Sequence, residues 1–233
     1  MILRDSLTKN NFFSTRVCLI PKKDPLQFRR IQVNNILLRL VEKWLLDQIS
    51  EIELQNKDSI QGFVKKQSMH SAYDAVKKRL DTTIDPCLFI DLNKAYNSLN
   101  RAKLIDIVQR KVKNPLIVDT LTQIINKQNC NIDGQYFHCT EGVPQGSAVS
   151  PWLFKALMDE AIINLKDQAS DVTEIVAYAD DLVVFGSFKY QQLRRVLEDF
   201  GLSVNEKKTV AFRRRIKGIQ TRKRFNYLGY GID

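Results

Sequence analysis

The sequence has little of several features on which whole classes of protein depend. Its uninterrupted apolar runs reach only four or five residues, whereas a membrane-spanning helix needs roughly 20. The first residues, Met1-Ile-Leu-Arg-Asp-Ser, lack the apolar stretch of a secretion signal. No long tract of proline, glycine and serine predicts a linker or a disordered tail. We therefore expect a soluble intracellular protein without membrane contact, in an organellar, nuclear or bacterial compartment that the sequence does not distinguish.

Metal-binding thiols and imidazoles are also scarce. The chain has four scattered cysteines, which form no Cys-x-x-Cys pair, and two histidines: Cys18, Cys87, Cys130, Cys139, His70 and His138. A structural zinc site is therefore not expected. A disulfide between Cys130 and Cys139 is geometrically conceivable, but reduced thiols are favoured in a chain without an export signal.

Acidic residues are missing from one long basic segment. Between Lys207 and Arg224 the chain carries nine basic residues and no acidic one, which accounts for nearly the whole formal net charge of +10. Such a block favours a polyanionic partner, because neutralising phosphates releases their counterions. A solvated basic surface without a specific partner is the alternative, and charge alone does not separate the two.

Hydrophobic periodicity predicts a mixture of helices and strands. Helices are expected at residues 34–49, 71–80, 101–112, 115–128 and 190–200, and from residue 150 onward. Strands are expected at residues 16–20, 28–33, 87–90, 129–132, 135–139, 175–178, 182–185, 209–212 and 227–230. Asp133-Gly134 is a two-residue hairpin signal, and Ser71 with Asp74 has capping-box spacing. The predicted fold class is α+β, with helices packed against a small antiparallel sheet.

Carboxylates interrupt this pattern at two places where burial makes them costly. Asp91 directly follows the apolar run Leu88-Phe89-Ile90, and Asp180-Asp181 separates two predicted strands. Buried carboxylates need a counter-charge or a metal ion, and a hairpin tip beside a strand end can bring Asp91 and Asp180 together. Oxygen ligands of this kind suit Mg²⁺, and two ions about 3.5–4 Å apart can activate a hydroxyl and stabilise leaving pyrophosphate. Taken alone, the Asp-Asp pair is more often a polar turn.

The order of short motifs along nearly the whole chain resembles that of reverse transcriptases. Four segments are similar to catalytic blocks of that family: residues 89–99, residues 142–151 with Val-Pro-Gln-Gly, residues 178–181 with Tyr-Ala-Asp-Asp, and residues 201–209. Tyr227-Leu-Gly229 is similar to the primer grip. Two upstream segments resemble fingers blocks: Ile20-Pro-Lys-Lys23 with Arg29-Arg30, and Gln61-Gly-Phe63. The residues Gly-Val-Pro-Gln-Gly and Tyr-Ala-Asp-Asp resemble enzymes of group II introns and other retroelements without long terminal repeats more than they resemble retroviral enzymes.

The resemblance implies a right-hand polymerase palm, an antiparallel sheet with packed helices, together with fingers. We expect fingers at residues 1–85 and palm at residues 86–233, with a fingers segment at about 109–141. No thumb is expected within the chain, so a thumb-bearing chain segment or a partner protein would have to clamp the duplex.

The resemblance also implies a catalytic metal site. It makes Asp91, Asp180 and Asp181 the carboxylates that hold two Mg²⁺ ions, with Mn²⁺ as a substitute, and leaves open whether Asp181 binds directly. Asn97 stands where relatives often carry a second acid, which is not usually a ligand. Lys208 would protonate departing pyrophosphate, and Lys207 is equally well placed for that role.

Five residues are implied to hold the incoming nucleotide: Lys22, Arg29, Tyr96, Gln145 and Gly146. Lys22 and Arg29 would neutralise the triphosphate, with the adjacent Lys23 and Arg30 as alternatives. The ring of Tyr96 would exclude a 2′-hydroxyl and so favour deoxynucleotides; ordinary core packing is the alternative. Gln145 and Gly146 would let the backbone approach template and nucleotide, or would merely form a tight turn.

Five further residues are implied to contact nucleic acid: Arg213, Arg214, Arg215, Tyr227 and Gly229. The basic run would follow the primer–template backbone without reading bases. The implied activity is that of an RNA-directed DNA polymerase, whose partners are an RNA template, a DNA primer and deoxynucleotides. The alternatives are an RNA-dependent RNA polymerase, which shares the palm, and a non-catalytic nucleic-acid-binding scaffold.

Overall fold

The computed structural model describes residues 14–22, 26, 28–127, 129–132, 135–138, 141–169, 171–213 and 215–232. In chain order the helices are α1 (Ile36–Ile49), α2 (Met69–Thr82), α3 (Ala95–Ser98), α4 (Arg101–Lys111), α5 (Pro115–Asn126), α6 (Ser150–Gln168) and α7 (Tyr190–Asp199). The longer strands are β1 (Ser14–Pro21), β2 (Phe28–Asn34), β3 (Cys87–Asn93), β4 (Asn129–Ile132), β5 (Gln135–His138), β6 (Val172–Tyr178) and β7 (Asp181–Gly186). Five short strands follow: β8 (Ser203–Val204), β9 (Val210–Phe212), β10 (Gln220–Thr221), β11 (Phe225–Tyr227) and β12 (Tyr230–Ile232).

These elements fall into two compact units, each built from two stretches of chain. Unit 1 comprises Met1–Ile52 and Tyr96–Phe154, and unit 2 comprises Glu53–Ala95 and Lys155–Asp233. The boundaries differ from those expected for fingers and palm. A division by compactness does not test a functional assignment, so that assignment stays a prediction.

Unit 1 contains a four-stranded sheet with the order β2-β1-β4-β5. The pairs β1–β2 and β4–β5 are antiparallel, whereas β1 and β4 run parallel. Helices α4 and α5 pack against each other. Asn100 and Asn114 cap their first turns by accepting from the peptide N–H of Lys103 and Leu116.

Unit 2 contains a sheet with the order β10-β9-β3-β7-β6, and β8 pairs with the end of β3. Strand β3 is antiparallel to β7 and to β9. Helix α2 packs on β6, and its Val76 and Leu80 join a buried cluster with β3, β6, β7, β9 and the β11–β12 hairpin. The mixture of helices and a largely antiparallel sheet confirms the predicted α+β class.

Two local predictions were wrong, and two short strands were missed. Helix α2 is capped by Ser68 and Ser71, which exchange the two capping-box hydrogen bonds, rather than by Ser71 and Asp74. Residues 227–230 are not one strand but the tip of the β11–β12 hairpin, because Leu228 and Gly229 both have positive φ, 49° and 86°, as a type I′ turn requires. Strands β8 and β10, of two residues each, were not predicted.

Helix α1 has the predicted bounds to within two residues, but many of the apolar residues that predicted it are not the ones that it buries. It buries Leu38, Glu42, Leu45 and Ile49, whereas Ile36, Leu37, Leu40 and Trp44 are exposed. Cys18 and Cys87 are not joined in disulfides; Cys139, Asp133 and Gly134 lie outside the described residues. No helix in the described part of the chain is long and apolar enough to cross a membrane.

Candidate active site

Two aspartates extend the apolar face of the unit 2 sheet. Alternate residues of a strand point to the same side, so Cys87, Phe89 and Asp91 share one face of β3. Phe89 and Cys87 belong to the buried cluster. Asp91 pairs with Asp181 at the start of β7. Partners on neighbouring antiparallel strands have Cβ atoms about 4.5–5.5 Å apart, so these half-buried carboxylates lie side by side.

The turn between β6 and β7 carries the third aspartate. Tyr178 pairs with Asp181, which leaves Ala179 and Asp180 as the two turn residues. Ala179 has a φ of 51°, a left-handed conformation that a residue with a side chain adopts only when its surroundings hold it there. The carbonyl of Asp180 accepts from Leu92 N at 3.1 Å, which ties the turn to β3. The exposed side chain of Asp180 thus projects beside the Asp91–Asp181 pair.

Asp91 is held from the turn that follows β8. Asn205 donates its side-chain amide to Asp91 Oδ1 at 3.0 Å and its peptide N–H to Asp91 O at 2.8 Å. The ammonium of Lys208 lies 3.2 Å from Asp91 Oδ2. Lys208 N and Thr209 N donate to the carbonyl of Asn205, so one short turn places both partners of Asp91. This contact favours Lys208 over Lys207 as the lysine of the site.

Burial and the neighbouring negative charges both act on the pKa of Asp181. Burial raises the pKa of Asp181 to about 7, and the negative charges of Asp180 and Asp91 add to the shift, whereas Lys208 opposes it. Like charges placed opposite each other on neighbouring strands destabilise a sheet. A strand pair that keeps such carboxylates together is typical of a cation site.

A cleft of about 220 Å³ opens beside these carboxylates. Asp91, Asp181 and Lys208 line it, together with Tyr227 and Leu228 from the β11–β12 hairpin. Burial and the nearby Asp181 raise the pKa of Tyr227. Its ring is edge-on to Phe89 at a centroid distance of 5.3 Å, and its buried hydroxyl has no hydrogen-bond partner among the described residues. Tyr227 therefore packs in the core and joins the hairpin to the sheet, and its predicted role in a primer grip stays a prediction.

The carboxylates fit an ion such as Mg²⁺, whose ligands come partly from the substrate, better than an ion that is bound by protein ligands alone. Among the described residues, no group of three or more His, Cys, Asp or Glu side chains lies close enough together to hold a metal ion. Mg²⁺ is usually bound by one or two carboxylates plus substrate phosphates rather than by a complete protein cage. The Asp91–Asp181 pair, open to a cleft, matches that pattern, and the assignment of Asp91, Asp180 and Asp181 as ligands stays a prediction.

The residues predicted to hold the triphosphate lie on the β1–β2 edge of unit 1. Lys22 directly follows β1, and Arg29 on β2 pairs with Ile20; both side chains are exposed. Arg29 and Arg30 point to opposite faces of β2. Which of the two could bind the triphosphate therefore depends on which face of the sheet the nucleotide approaches. Lys23 lies outside the described residues.

The Gln145-Gly146 segment lies directly on β2. The carbonyl of Gln145 accepts from Gln32 N at 2.8 Å. Gly146 has a φ of 124°, and a Cβ at this position would lie 2.4 Å from Gln32 O. Only glycine permits both this conformation and this approach. The contact with β2 was not predicted, and a contact of Gln145 and Gly146 with nucleotide or template stays a prediction.

Tyr96 is fixed within unit 1. Its ring stacks on Phe154 at a centroid distance of 5.1 Å and an angle of 25°, and its carbonyl accepts from Val143 N at 2.7 Å. The side chain remains half-buried. It thus combines the packing alternative with a partly open ring face, and a role in sugar selection stays a prediction.

The basic residues predicted to contact nucleic acid differ from one another. Arg213 donates to the carbonyls of Leu80 and Thr83 at the end of α2, and its guanidinium lies 5.2 Å from the Phe212 ring centroid. Arg213 therefore joins the end of β9 to the end of α2, and its contact with nucleic acid stays a prediction. Arg215 and Gly229 are exposed, and Arg214 lies outside the described residues.

Two polar residues near the predicted sites gave no signal in the sequence. Asn205 lies within the motif at residues 201–209 and has no separate pattern of its own, and Glu42 lies inside the apolar pattern of α1. Glu42 is 1% exposed and accepts from Asn34 Nδ2, Ser147 Oγ and Ala148 N. It thereby fixes the segment after Gly146 to β2 and α1. Only a polar residue at a core-facing helical position could have indicated it.

Comparison with known proteins gives one family. The family model described as "Reverse transcriptase (RNA-dependent DNA polymerase)" matches residues 20–232. A relative, "Retrovirus-related Pol polyprotein from type-1 retrotransposable element R2" of Nasonia vitripennis, is 24% identical over 204 residues, which cover 79% of this chain and 20% of that protein. The chain spans about a fifth of the length of the first curated relatives it matches.

Solved structures share the fold at lower identity. The apo telomerase from Candida tropicalis truncated from its C-terminal domain has a TM-score of 0.63 and 18% identity, covering 97% of this chain and 54% of that one. The RNA-dependent RNA polymerase of a human picorbirnavirus has a TM-score of 0.62 and 15% identity, covering 88% of this chain and 46% of that one. The likeness to both confirms a polymerase fold of palm and fingers.

Proposed function

Because the chain belongs to the reverse transcriptase family, we propose that it extends a DNA primer with deoxynucleotides on an RNA template. The reaction is attack of the primer 3′-hydroxyl on the α-phosphate of a deoxynucleotide, with release of pyrophosphate. The observation that carries the proposal is the pairing of Asp91 with Asp181 at the edge of an otherwise apolar sheet face. Two like charges opposite each other destabilise a sheet, and a bound cation would relieve that repulsion.

Enzymes of this family use divalent metal ions, and we propose that the ions here are two Mg²⁺ held by Asp91, Asp180 and Asp181. Bound there, they would lower the pKa of the attacking hydroxyl and neutralise the departing pyrophosphate. The raised pKa of Asp181 supports the proposal, since a cation would relieve the repulsion that causes part of the shift. Mn²⁺, with the same preference for oxygen ligands, is the expected substitute.

The remaining predicted residues have roles that their surroundings support. Lys208, at 3.2 Å from Asp91, would give a proton to pyrophosphate. Lys22 and Arg29, both exposed cations, would bind the triphosphate. Gln145 and Gly146 would bring backbone against nucleotide or template. Tyr96 would act against the 2′-hydroxyl, because its stacking on Phe154 holds the ring in one orientation.

An RNA-dependent RNA polymerase is the second candidate, favoured by the fold likeness to the viral enzyme. A shared fold does not decide which sugar is used. Primer extension on an RNA template therefore tests both, with deoxynucleotides and ribonucleotides in parallel and with Mg²⁺, Mn²⁺ or a chelator. We expect deoxynucleotide incorporation that requires the metal. Preferential ribonucleotide incorporation would favour the second candidate, and no incorporation by a folded chain would favour a non-catalytic scaffold.

Replacement of Tyr96 tests the sugar assignment directly. Tyr96→Val removes the ring, so ribonucleotide incorporation should rise relative to deoxynucleotide incorporation. Tyr96→Phe keeps the ring and serves as the matched control. An unchanged ratio in Tyr96→Val would leave Tyr96 as a packing residue.

A further inference from the structure

A segment of unit 2 lies against the turn that carries Asp180. The strap (residues 55–62) forms a parallel bridge from Ile60 to Ala177 of β6. Ala177 donates to the carbonyl of Ser59 at 2.7 Å and accepts from Gln61 N at 2.8 Å. Because Ala177 is two residues before Ala179, these bonds bring the strap to the aspartate turn (residues 178–181).

At Gly62 the backbone of the strap lies close to the backbone of the turn. Gly62 is buried, and a Cβ at this position would lie 2.4 Å from Ala179 N and 3.2 Å from Tyr178 C. Both obstacles are backbone atoms, so no side-chain rotation could relieve the clash. Gly62 needs no positive φ; the requirement for glycine here is steric, and it is set by the turn.

The other end of the strap is anchored by a buried acid. Asp159 of α6 is fully buried, and its carboxylate accepts from Asn56 N at 2.8 Å, Asn56 Nδ2 at 3.1 Å and Gln55 N at 3.1 Å. Lys166, two turns further along α6, donates to Asn56 Oδ1 at 2.7 Å. Burying a carboxylate is unfavourable unless such donors compensate it. The strap is therefore fixed to α6 rather than resting loosely on the surface.

We propose that the strap is the support that fixes the aspartate turn, with Gly62 and Asp159 as its positioning residues. The turn holds Ala179 at a φ of 51°, which is unfavourable without surrounding support. On the β3 side, Leu92 N donates to Asp180 O and so ties the turn to β3. On the side of the strap, Gly62 lies close to the backbone of Ala179 and leaves it little room to move. The positions of Asp180 and Asp181 thus depend on a segment without a catalytic group. This inference rests on the proposed function for its catalytic consequence.

The first test is a pair of glycine substitutions. In Gly62→Ala, the strap or the turn must retreat by about 1 Å to reach ordinary van der Waals distance, and a misplacement of about 1 Å can reduce a rate about 100-fold. We expect kcat to fall to that extent, the KM for nucleotide to stay within about twofold of the parent, and Mn²⁺ binding, measured by electron paramagnetic resonance without nucleic acid, to weaken. Gly231→Ala is the matched control, since a Cβ there meets nothing within 4 Å.

Asp159→Asn tests the anchor, and also serves if Gly62→Ala fails to fold. It places an amide group against peptide N–H donors, so the strap should loosen and the same split between kcat and KM should follow. Asp167→Asn, an exposed position on the same helix, controls for the loss of charge. Thermal unfolding of each variant identifies any that is not folded.

Hydrogen exchange separates failure of this proposal from failure of the proposed function. Amides of residues 175–183 should lose protection in Gly62→Ala and Asp159→Asn but not in either control, whether or not the chain extends primers. Unchanged protection, or parent-like kcat and Mn²⁺ affinity in a folded Gly62→Ala, would overturn the role of the strap. An inactive parent whose exchange responds as expected would instead count against the polymerase assignment alone.

Discussion

Asp181 lowers the free energy of unfolding at neutral pH while it contributes a carboxylate to the proposed metal site. Its pKa is raised to about 7 by burial and by Asp180 and Asp91, whereas an unfolded aspartate ionises near pH 4. Between these values the folded chain binds more protons, so the stability contribution of this group is present at low pH and is lost as the pH rises through about 7.

We therefore predict that Asp181→Asn stabilises the chain without divalent metal, by on the order of 1 kcal/mol at pH 8 and less at pH 5. The same change should weaken Mn²⁺ binding. Urea unfolding in a chelator at both pH values measures the first effect, with Asp167→Asn as the control. Destabilisation by Asp181→Asn at pH 8 would contradict the assignment of Asp181 to a crowded acidic site.

Glu42 makes an independent case in unit 1. Burial raises the pKa of Glu42 above its ordinary value, although bonds from Ser147, Asn34 and Ala148 and the charge of Arg39 oppose the shift. The sign is the same as for Asp181: stability is lost as the pH rises through the folded pKa. Glu42→Gln should accordingly flatten the dependence of unfolding free energy on pH above pH 5.

Glu42→Ala should behave differently, because it leaves buried donors of Asn34 and Ser147 without a partner. Each such donor costs about 1–3 kcal/mol, so a loss of a few kcal/mol is expected at every pH. Urea unfolding from pH 5 to pH 8 compares the two variants. An unaltered pH dependence in Glu42→Gln would show that this carboxyl group does not titrate in that range.

At this scale the sequence predicts acids on apolar strands better than it predicts residues that are held by distant hydrogen bonds. Asp91 and Asp181 stand out because an apolar strand makes a carboxylate anomalous. Asn205 and Asp159 do not stand out, since their hydrogen bonds join residues 114 and 103 positions apart. No local pattern encodes a contact of that kind.

Among the elements, the β11–β12 hairpin places one buried tyrosine, Tyr227, in the core of unit 2. Tyr227 packs on Phe89 and belongs to the buried cluster, while its buried hydroxyl makes no hydrogen bond within the described residues. We predict that Tyr227→Phe is neutral or stabilising by up to about 1 kcal/mol, whereas Tyr227→Ala loses about 3–5 kcal/mol.

Urea unfolding distinguishes the two substitutions, and duplex binding adds a second measurement. If Tyr227→Phe keeps its stability but binds primer–template more weakly, the hydroxyl contacts nucleic acid as the family resemblance implies. Equal destabilisation by Phe and Ala would contradict the packing role.

The same hairpin shows why an element can be detected and still be misassigned. Its apolar residues predicted a strand at 227–230, but the positive φ of Leu228 is unusual for leucine and left no trace in the pattern. Helix α1 was found from its periodicity, yet four of its large apolar residues are exposed. Periodicity locates a helix, but the buried face depends on what packs against it, and that is decided elsewhere in the chain.

For the whole molecule, the order of motifs was enough to predict the family and the α+β class. The division into two units was not predictable in the same way. Each unit combines stretches separated by more than 40 residues, and such closure depends on long-range contacts. The net charge of +10 is likewise a property of the whole chain. Its effect on the binding of nucleic acid depends on which basic side chains are already bonded to other protein groups.

The basic segment from Lys207 to Arg224 therefore separates into two kinds of cation. Arg213 donates to the carbonyls of Leu80 and Thr83, so Arg213→Ala should lower stability by about 1–3 kcal/mol. Arg215, Lys217 and Lys223 are exposed and carry the charge that a polyanion would meet.

We predict that replacing Arg215, Lys217 and Lys223 together by Ala leaves stability nearly unchanged but weakens binding to an RNA–DNA duplex. Each phosphate contact contributes about 0.7–0.9 to the slope of log affinity against log salt, so the slope should fall by up to about 2–3 if all three cations contact phosphate. The loss should be similar for unrelated duplex sequences, because phosphate contacts carry no base information.

The matched control replaces Lys77, Lys78 and Lys189, three exposed lysines elsewhere in unit 2, and removes the same net charge. If affinity depended only on total charge, both triple variants would lose it equally. A larger loss of affinity and slope for Arg215, Lys217 and Lys223 locates the duplex at this segment. Equal losses would mean that the protein attracts nucleic acid through its overall charge, and that the groove for the duplex lies on another surface.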